Sequence, residues 1–126
     1  MSVLLQDTVE LYVTFFDNLE QFSNSTAIIN ESAERISYRD LLSISDDIGR
    51  WAESRSLTFL ICKNSLESIA GYIGFMRIKS VIALLDSKTS SDSLFNLIET
   101  FKPRYIYAPT EKLELKRRFH NSRKKL

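Results

Sequence analysis

The segment from Thr58 to Asp86 constrains the fold of this chain more than any other part of its sequence. It contains two short apolar runs, TFLIC and SVIALLD, separated by enough residues for one helix. Apolar residues in that interval repeat at the spacing of one helix face, namely Leu66, Ile69, Ala70, Ile73 and Met76. Strands that are apolar on both faces and joined by a helix pair in parallel, not as a hairpin. The segment therefore predicts a strand–helix–strand unit with a right-handed crossover, which is half of an open α/β sheet.

Helix start and stop signals lie on both sides of this unit. Asn64, with Glu67 three residues later, has the form of a capping box, and Ser37 with Asp40 has the same form. The second box opens a predicted helix with the apolar face Leu41, Ile44, Ile48 and Trp51. Another apolar stripe follows the polar residues 87–91 and ends at Pro103; it consists of Leu94, Leu97, Ile98 and Phe101. Two further helices are therefore predicted beside the sheet.

The remaining predicted elements are shorter. An N-terminal helix is expected to begin near Asp7, with the apolar face Val9, Tyr12, Val13, Phe16 and Leu19. Residues 26–30 and the pair Arg35-Ile36 predict a small hairpin. Residues 104–108 predict a third core strand, and Pro109-Thr110 opens a last helix in which Leu113 is the clearest apolar residue. The predicted fold class is a three-layer α/β arrangement, a mainly parallel sheet flanked by helices, with a small N-terminal hairpin.

Composition limits the classes of function. The chain has 126 residues, a formal net charge of +1 and a single cysteine. One domain is expected for this length, and the charge does not favour nucleic acid or an acidic membrane as a partner of the whole molecule. One cysteine excludes an internal disulfide. The longest apolar runs are far shorter than the ~20 residues of a membrane span, and the first residues do not form a signal peptide, so a cytoplasmic location is expected.

Four phrases, in order, resemble the N-terminal part of the AMP-forming adenylating enzymes. This superfamily contains acyl- and aryl-CoA synthetases, luciferases and the adenylation domains of peptide synthetases. The phrases are AII and ISYRDL at 27–29 and 36–41, ICKNSLE at 61–67, MRIKSVIALLD at 76–86 and FKPRYIYA at 101–108. The resemblance extends over roughly residues 20–110. It implies that residues 1–119 are an incomplete N-terminal region of an adenylation domain and that residues 120–126 are a basic tail.

The resemblance also implies which functions lie outside the chain. Family members take the phosphate-binding loop, the adenine and ribose contacts, the magnesium-binding acid and a catalytic Lys from later sequence. Such a loop is rich in Gly, Ser and Thr and holds phosphates through backbone N–H groups. The glycines here, Gly49, Gly71 and Gly74, all lie inside predicted helices. No catalytic, cofactor-binding or metal-binding residue is therefore expected in this chain, and ATP and Mg would belong to a full-length parent.

Three positions depart from the family's phrases. Lys63 stands where the family usually has Pro, Lys79 where it has Gly, and Leu84 where it has Pro. Glycine at position 79 would suit a helix end that needs a left-handed residue. Lys79 is therefore expected to cost about 1 kcal/mol unless the turn differs. The departures indicate a divergent member.

A group of polar residues follows the second strand of the central unit. Asp86, Ser87, Thr89 and Asp92 lie where open α/β sheets place their ligands, and they are candidates for holding a cation or a hydroxyl-bearing ligand. The structural alternative is that Thr89 or Ser90 caps the next helix and that Asp92 complements the helix dipole. We favour the structural interpretation.

Other candidate residues also have a structural interpretation, which we favour. Cys62 ends a predicted buried strand and is expected to pack as a small apolar residue. His120, the single histidine, is expected at the surface because no nucleophile is spaced for a triad. The basic cluster is interpreted as a solvated helix end or a remnant of truncation, and not as a nucleic-acid surface. It contains Lys116, Arg117, Arg118, Arg123, Lys124 and Lys125. Four aromatic residues are interpreted as core or interface: Tyr38, Trp51, Tyr72 and Phe75.

Three functions are compatible with these observations. The preferred one is a scaffold-forming N-terminal portion of an AMP-dependent ligase, inactive as an isolated chain. The alternative is a non-catalytic interaction module that has kept this fold. An unrelated flavodoxin-like protein, such as a receiver domain, is disfavoured because residues 62–64 supply no cluster of acids at the strand end. The expected partners are the remainder of an adenylation domain, a partner chain, or a second copy through self-association.

Overall fold

The computed structural model describes residues 16–112 and 114–118. Its strands are β1 (Thr26–Ile29), β2 (Arg35–Ser37), β3 (Leu57–Cys62), β4 (Val81–Asp86) and β5 (Tyr105–Tyr107). The longer helices are α1 (Tyr38–Gly49), α2 (Leu66–Arg77) and α3 (Ser91–Phe101), and 3-10 turns lie at Leu19–Phe22 and Thr110–Lys112. Residues 114–118 are also helical.

A parallel sheet is the centre of the fold. Its strand order is β4–β3–β5, and Thr58 of the central strand pairs with Ile82 of β4 and with Tyr105 of β5. Parallel neighbours cannot be joined by a tight turn, so α2 connects β3 to β4 and α3 connects β4 to β5. The predicted parallel sheet flanked by helices is confirmed.

The two faces of the sheet are covered by different helices. Leu60 of β3 lies against α2, where its Cδ1 would be 3.2 Å from a Cβ atom on Gly71. Neighbouring side chains on a strand point to opposite faces, so Phe59 and Ile61 face the other way, toward α3. There they form what we call the α3-side cluster, in which every member is at most 3% exposed. Its members are Phe59, Ile61, Leu94, Ile98 and Leu115.

Helices α1 and α2 pack closely at a pair of small residues. A Cβ atom on Gly74 would lie 2.3 Å from the backbone oxygen of Ser45, and one on Gly49 would lie 2.9 Å from the backbone oxygen of Gly74. Such distances are far inside van der Waals contact. The absence of a side chain at Gly74 is therefore what allows the two helix backbones to approach.

The predicted N-terminal hairpin is present as β1 and β2. The two strands are antiparallel, with Thr26 opposite Ser37 and Ile29 opposite Arg35. Ser37 then begins α1, because its Oγ accepts a hydrogen bond of 3.1 Å from the N–H of Asp40. This is the helix start that the Ser37–Asp40 pattern predicted.

Several predicted element ends differ from the structure. Ser65, not Asn64, caps α2, because the Ser65 Oγ accepts from the N–H of Ser68 at 3.2 Å. Helix α1 ends at Gly49, so Trp51 is not on its apolar face. Beyond β5, Leu115 is buried in the α3-side cluster, while Leu113 lies outside the described residues. The same holds for residues 7–15 of the predicted N-terminal helix, although Phe16 and Asp17 are helical.

The turn at Lys79 has the left-handed backbone that the sequence predicted. Its φ is 62°, just after α2 and before β4. The N–H of Lys79 donates to the carbonyl of Met76 at 3.0 Å, and the N–H of Ser80 donates to that of Phe75 at 3.0 Å. These bonds close the helix end in the way usually made with glycine. The turn therefore has the geometry expected for glycine, and Lys79 adopts it at the conformational cost expected for a residue with a Cβ atom.

No helix among the described residues has both the length and the apolar character needed to cross a bilayer.

Candidate functional site

The carboxyl end of the parallel sheet is the first place to look for a ligand site. Here β3 ends at Cys62 and β4 at Asp86, and the two ends are tied together by the N–H of Ser87, which donates to the carbonyl of Cys62 at 2.9 Å. The polar residues predicted to gather at this edge are Asp86, Ser87, Thr89 and Asp92. The structure shows which of them meet.

Asp86 is committed to the turn that follows β4. Its Oδ1 accepts from the N–H of Lys88 at 2.8 Å, and its carbonyl accepts from the N–H of Thr89 at 3.0 Å. Both bonds run within the turn itself. The side chain therefore shapes the backbone of this turn.

Ser90 and Asp92 belong to the start of α3. The Ser90 Oγ accepts from the N–H of Ser93 at 3.2 Å, so Ser90, not Thr89, caps this helix. The Asp92 carboxylate lies 3.0 Å from Nη1 of Arg118, whose guanidinium lies 4.0 Å from the centre of the Phe95 ring. Asp92 thus holds the residues that follow β5 and does not join Asp86. Within the described residues, no cluster of acids, His or Cys is able to hold a metal ion.

Cys62 has the environment of a packed thiol. Its Sγ lies 3.3 Å from the carbonyl oxygen of Leu60, to which it donates. Burial, and then the negative charge of Asp86, raise the pKa of the Cys62 thiol. A nucleophilic cysteine needs the opposite shift, toward thiolate. The structural interpretation of Cys62 is therefore the one its surroundings support.

Two lysines near this edge are also engaged. The Nζ of Lys63 lies 3.5 Å from Oε1 of Glu111, and the Nζ of Lys112 donates to the carbonyl of Thr89 at 3.2 Å. The second contact ties the segment after β5 to the turn after β4. Several polar groups at this end of the sheet are thus bonded to other parts of the protein.

Three of the four aromatic residues that we interpreted as core or interface pack against other rings. Tyr38 pairs with Phe22 at 5.8 Å between ring centres, Tyr72 with Phe16 at 6.1 Å, and Phe75 with Tyr107 at 5.8 Å. Trp51 is different, because 86% of it is exposed. Its surroundings lead to a site that the sequence did not predict.

That site is a groove along the outer side of β5, with a volume of about 590 Å³. Its floor is β5 itself. One wall comes from the end of α1 and the following turn, including Ile48 and Trp51, and the other comes from residues 109–116, including Lys112 and Lys116. We call this the β5 groove. It brings together residues about sixty positions apart, so no local pattern could reveal it.

A second groove, of about 530 Å³, follows the opposite edge of the sheet beside β4. Arg77 lines it and is held by three acceptors: the Asp46 carboxylate at 2.8 Å, the Phe16 carbonyl at 2.8 Å, and the Glu20 carboxylate. The hydrogen bond from Arg77 lowers the pKa of Glu20. Arg77 is therefore already neutralised by the protein's own acids. His120 and residues 123–125 of the basic cluster lie outside the described residues.

The solved structures that this fold resembles are enzymes. One of them is apo MatB from Rhodopseudomonas palustris, with a TM-score of 0.69, 17% sequence identity, and coverage of 80% of this chain. The luciferase-like enzyme of the mealworm Zophobas morio has a TM-score of 0.72 and 18% sequence identity, over 90% of this chain. The anthranilate CoA ligase AuaEII, solved with anthranoyl-AMP, has a TM-score of 0.70 and 14% sequence identity, over 84% of this chain.

This chain spans only about a quarter of those proteins, since it covers 22%, 28% and 22% of their lengths. No protein-family model and no curated protein matches the sequence. The similar structures are AMP-forming adenylating enzymes, and one of them is an N-terminal subdomain solved alone, that of NpsA from Klebsiella oxytoca. The described residues therefore have the fold of the N-terminal region of the AMP-forming adenylating enzymes.

Proposed function

We propose that this chain is the scaffold-forming N-terminal portion of an AMP-dependent ligase and is inactive alone. The observation that carries the proposal is that polar groups at the carboxyl end of the sheet contact other parts of the protein. Asp86 is bonded into its own turn, Asp92 is paired with Arg118, and Lys112 is bonded to the turn after β4. The groups found where such sheets bind ligands are used to hold the scaffold together.

The described residues do not fit ATP and Mg, the cofactors that this fold implies. They offer no cluster of carboxylates for a metal ion. The glycines that would let a backbone wrap phosphates are instead in helices, with Gly74 needed for the packing of α1 on α2. We therefore assign no step of adenylation to residues of this chain.

The proposed parent would carry out the complete reaction in the cytoplasm. A carboxylate would attack the α-phosphate of ATP, giving an acyl-adenylate and releasing pyrophosphate. A thiol, such as that of coenzyme A or a carrier phosphopantetheine, would then attack the acyl carbon and release AMP. The present chain would contribute the parallel sheet and its covering helices as one wall of that domain.

A pyrophosphate-exchange assay tests this division of labour. The purified 126-residue chain is incubated with MgATP, labelled pyrophosphate and a panel of aliphatic and aromatic acids, beside an active full-length acyl-CoA synthetase. We expect exchange in the full-length enzyme and none above the buffer blank in this chain. Exchange by this chain that depends on both ATP and an acid would refute the proposal.

The alternative function is a non-catalytic interaction module, and the β5 groove is the observation in its favour. A scaffold that only awaits the rest of its own domain and a module that binds a separate protein both need an open surface. Supplying the remaining part of an adenylating enzyme in trans separates the two. Recovery of acid-dependent exchange supports the scaffold, and binding without recovered exchange supports the module.

A further inference from the structure

The amino-terminal end of the parallel sheet carries three exposed cations, one before each strand. Arg55 precedes β3, Lys79 precedes β4 and Lys102 precedes β5. We call these three residues the basic row. They are distant in sequence, so only the pairing of the strands brings them to one end of the sheet.

The pairing of β3 with β4 aligns the first two cations. Arg55 lies two residues before Leu57, Lys79 lies two residues before Val81, and Leu57 and Val81 are opposite each other in the sheet. The two loops are in contact, because the N–H of Arg55 donates to the carbonyl of Lys79 at 3.0 Å. Arg55 and Lys79 are therefore neighbours at the same level of the sheet.

The pairing of β3 with β5 adds the third cation. Arg55 lies three residues before Thr58, Lys102 lies three residues before Tyr105, and Thr58 and Tyr105 are opposite each other. The register thus places Lys102 at the level of Arg55, on the side away from β4. Because neighbouring strands are about 4.8 Å apart, the backbone of the row spans about 10 Å.

The three residues of the row also share a left-handed backbone. Their φ angles are 61°, 62° and 49°, and the other non-glycine residue with a positive φ in the described part of the chain is Ala33, in the hairpin turn. A residue with a Cβ atom adopts this conformation at a cost. Such outliers occur most often where a protein binds a ligand or reacts. The row therefore merits a functional explanation.

Helix ends account for two of the cations and not for the third. Lys79 and Lys102 follow the ends of α2 and α3, where the negative end of the helix dipole favours a positive charge. Arg55 follows a turn, since α1 ends at Gly49. Its position between the two lysines concentrates positive charge at the middle of the row.

The acids whose partners lie at this end of the sheet are paired with other cations. Glu53 lies 3.0 Å from Arg104, and Asp47 lies 3.0 Å from Arg50. Within residues 16–112 and 114–118, no ion pair includes a member of the basic row. Three cations at one level thus present a field of one sign, which attracts a ligand of the opposite sign.

The length of the row indicates the class of anion. An extended peptide presents side chains on one face about 7 Å apart, so it would place only two carboxylates along the row. A linear polyphosphate carries negative charge on every phosphate, and both Arg and Lys bind phosphate oxygens. We propose that the basic row binds a linear polyphosphate of three or more phosphates at the amino-terminal end of the sheet.

This inference goes beyond the proposed function and is compatible with it. The row lies at the end of the sheet opposite to Cys62 and Asp86. It does not include the outer side of β5, where the remainder of a parent domain would continue. A row of Arg and Lys supplies no ligand for Mg, so we assign it binding and no step of adenylation.

An NMR titration measures both the affinity and the location of binding. The ¹⁵N-labelled 126-residue chain is titrated with sodium tripolyphosphate to millimolar concentration, at neutral pH and low salt, without nucleotide, acid substrate or Mg. We expect saturable shifts of the amides in and beside the basic row, and weaker binding as salt is added. Inorganic phosphate, with fewer charges, should bind at least about tenfold more weakly.

Single variants test each cation of the row. Arg55→Gln should weaken binding of tripolyphosphate by about threefold or more, and its combination with Lys102→Gln by about tenfold. Lys79→Gly also removes a cation but suits the left-handed turn, so its loss of affinity cannot come from damage to the fold. Lys88→Gln removes an exposed cation at the other end of the sheet and should change the affinity less than about twofold.

The basic tail provides the sharpest control, because residues 123–125 are also cationic. Lys124→Gln combined with Lys125→Gln should leave the shifts at the basic row in place. Four results would overturn the inference: no saturable shift, shifts confined to the tail, phosphate binding as tight as tripolyphosphate binding, or a loss in Arg55→Gln no larger than in Lys88→Gln. The titration contains no nucleotide, so it can fail while the proposed function stands, and the reverse also holds.

Discussion

The α3-side cluster and the β5 groove lie on the same sheet, yet the cluster is buried and the groove is exposed. In the cluster, Leu94 and Leu115 are 0% and 1% exposed, and both are supplied by sequence that follows β4. In the groove, Trp51 is 86% exposed beside a strand that has no neighbour on its outer side within residues 16–112 and 114–118. The described residues thus complete one hydrophobic core and leave the other surface open. Stability should reside in the first region and recognition in the second.

The largest expected effect comes from a matched pair of leucines. Leu94→Ala removes a fully buried side chain from the cluster and should lower the free energy of unfolding by about 3 kcal/mol. Leu84→Ala, at the β4 edge where Leu84 is 59% exposed, should cost less than about 1 kcal/mol. Urea unfolding of both variants gives the comparison. Equal losses would contradict the division between closed core and open edge.

The next effect tests the other covered face, where α1 meets α2. Gly74→Ala places a Cβ atom 2.3 Å from the backbone oxygen of Ser45, so the helices must separate. The expected loss is about 2 kcal/mol, measured in the same urea titration. Because the obstacle is backbone, adding Ser45→Gly should not restore stability. A rescue by that second change would show that the clash is with the side chain instead.

A smaller effect, of opposite sign, is expected where the chain turns into β4. Lys79 has a φ of 62°, a conformation that glycine adopts without strain. Lys79→Gly should therefore raise the free energy of unfolding by about 0.5 to 1 kcal/mol. Lys79→Ala keeps a Cβ atom and should give no such gain. If the alanine variant were stabilised as much as the glycine variant, loss of the lysine charge would be the cause.

The smallest effect is a pH dependence at the β4 edge, where Arg77 is paired with the carboxylates of Glu20 and Asp46. Arg77 lowers the pKa of Glu20 in the folded protein below its unfolded value of about 4.3. The stabilisation is therefore complete above that value and is lost as pH falls through the folded pKa. Between about pH 7 and pH 3, the wild type should lose up to about 1 kcal/mol more stability than Glu20→Gln. If the free energy of unfolding fell equally with pH in the wild type and in Glu20→Gln, the Arg77–Glu20 pairing would be contradicted. Glu31→Gln serves as the control at an exposed position.

Much of the fold could be predicted because its signals are local. The apolar runs at 58–62 and 80–86, the helix spacing between them and the Ser37–Asp40 box each depend on a few neighbouring residues, and all appear in the structure. Even the left-handed turn at Lys79 could be predicted, because the adenylating enzymes that this sequence resembles usually have Gly at that position. The predicted cap of α3, at Thr89 or Ser90, also agrees with the hydrogen bond that Ser90 accepts from the N–H of Ser93.

The rest depends on contacts between distant parts of the chain. Asn64 and Ser65 are both good caps, and the choice of Ser65 follows from how β3 meets α2. Trp51 continues the helical spacing of α1, but the helix ends at Gly49 and the indole is left in the β5 groove. Gly74 is unremarkable within its own helix, and only the approach of α1 gives it a role.

Native-state hydrogen exchange along β5, resolved by residue, tests the central claim most directly. The account predicts an alternating pattern, with slow exchange at the amides of Arg104 and Ile106, which face β3, and fast exchange at Tyr105 and Tyr107, which face the groove. Amides in β3 should be the slowest of the sheet. Slow exchange at all four β5 positions would mean that the outer side of the strand is already paired, and the open edge on which this account depends would not exist.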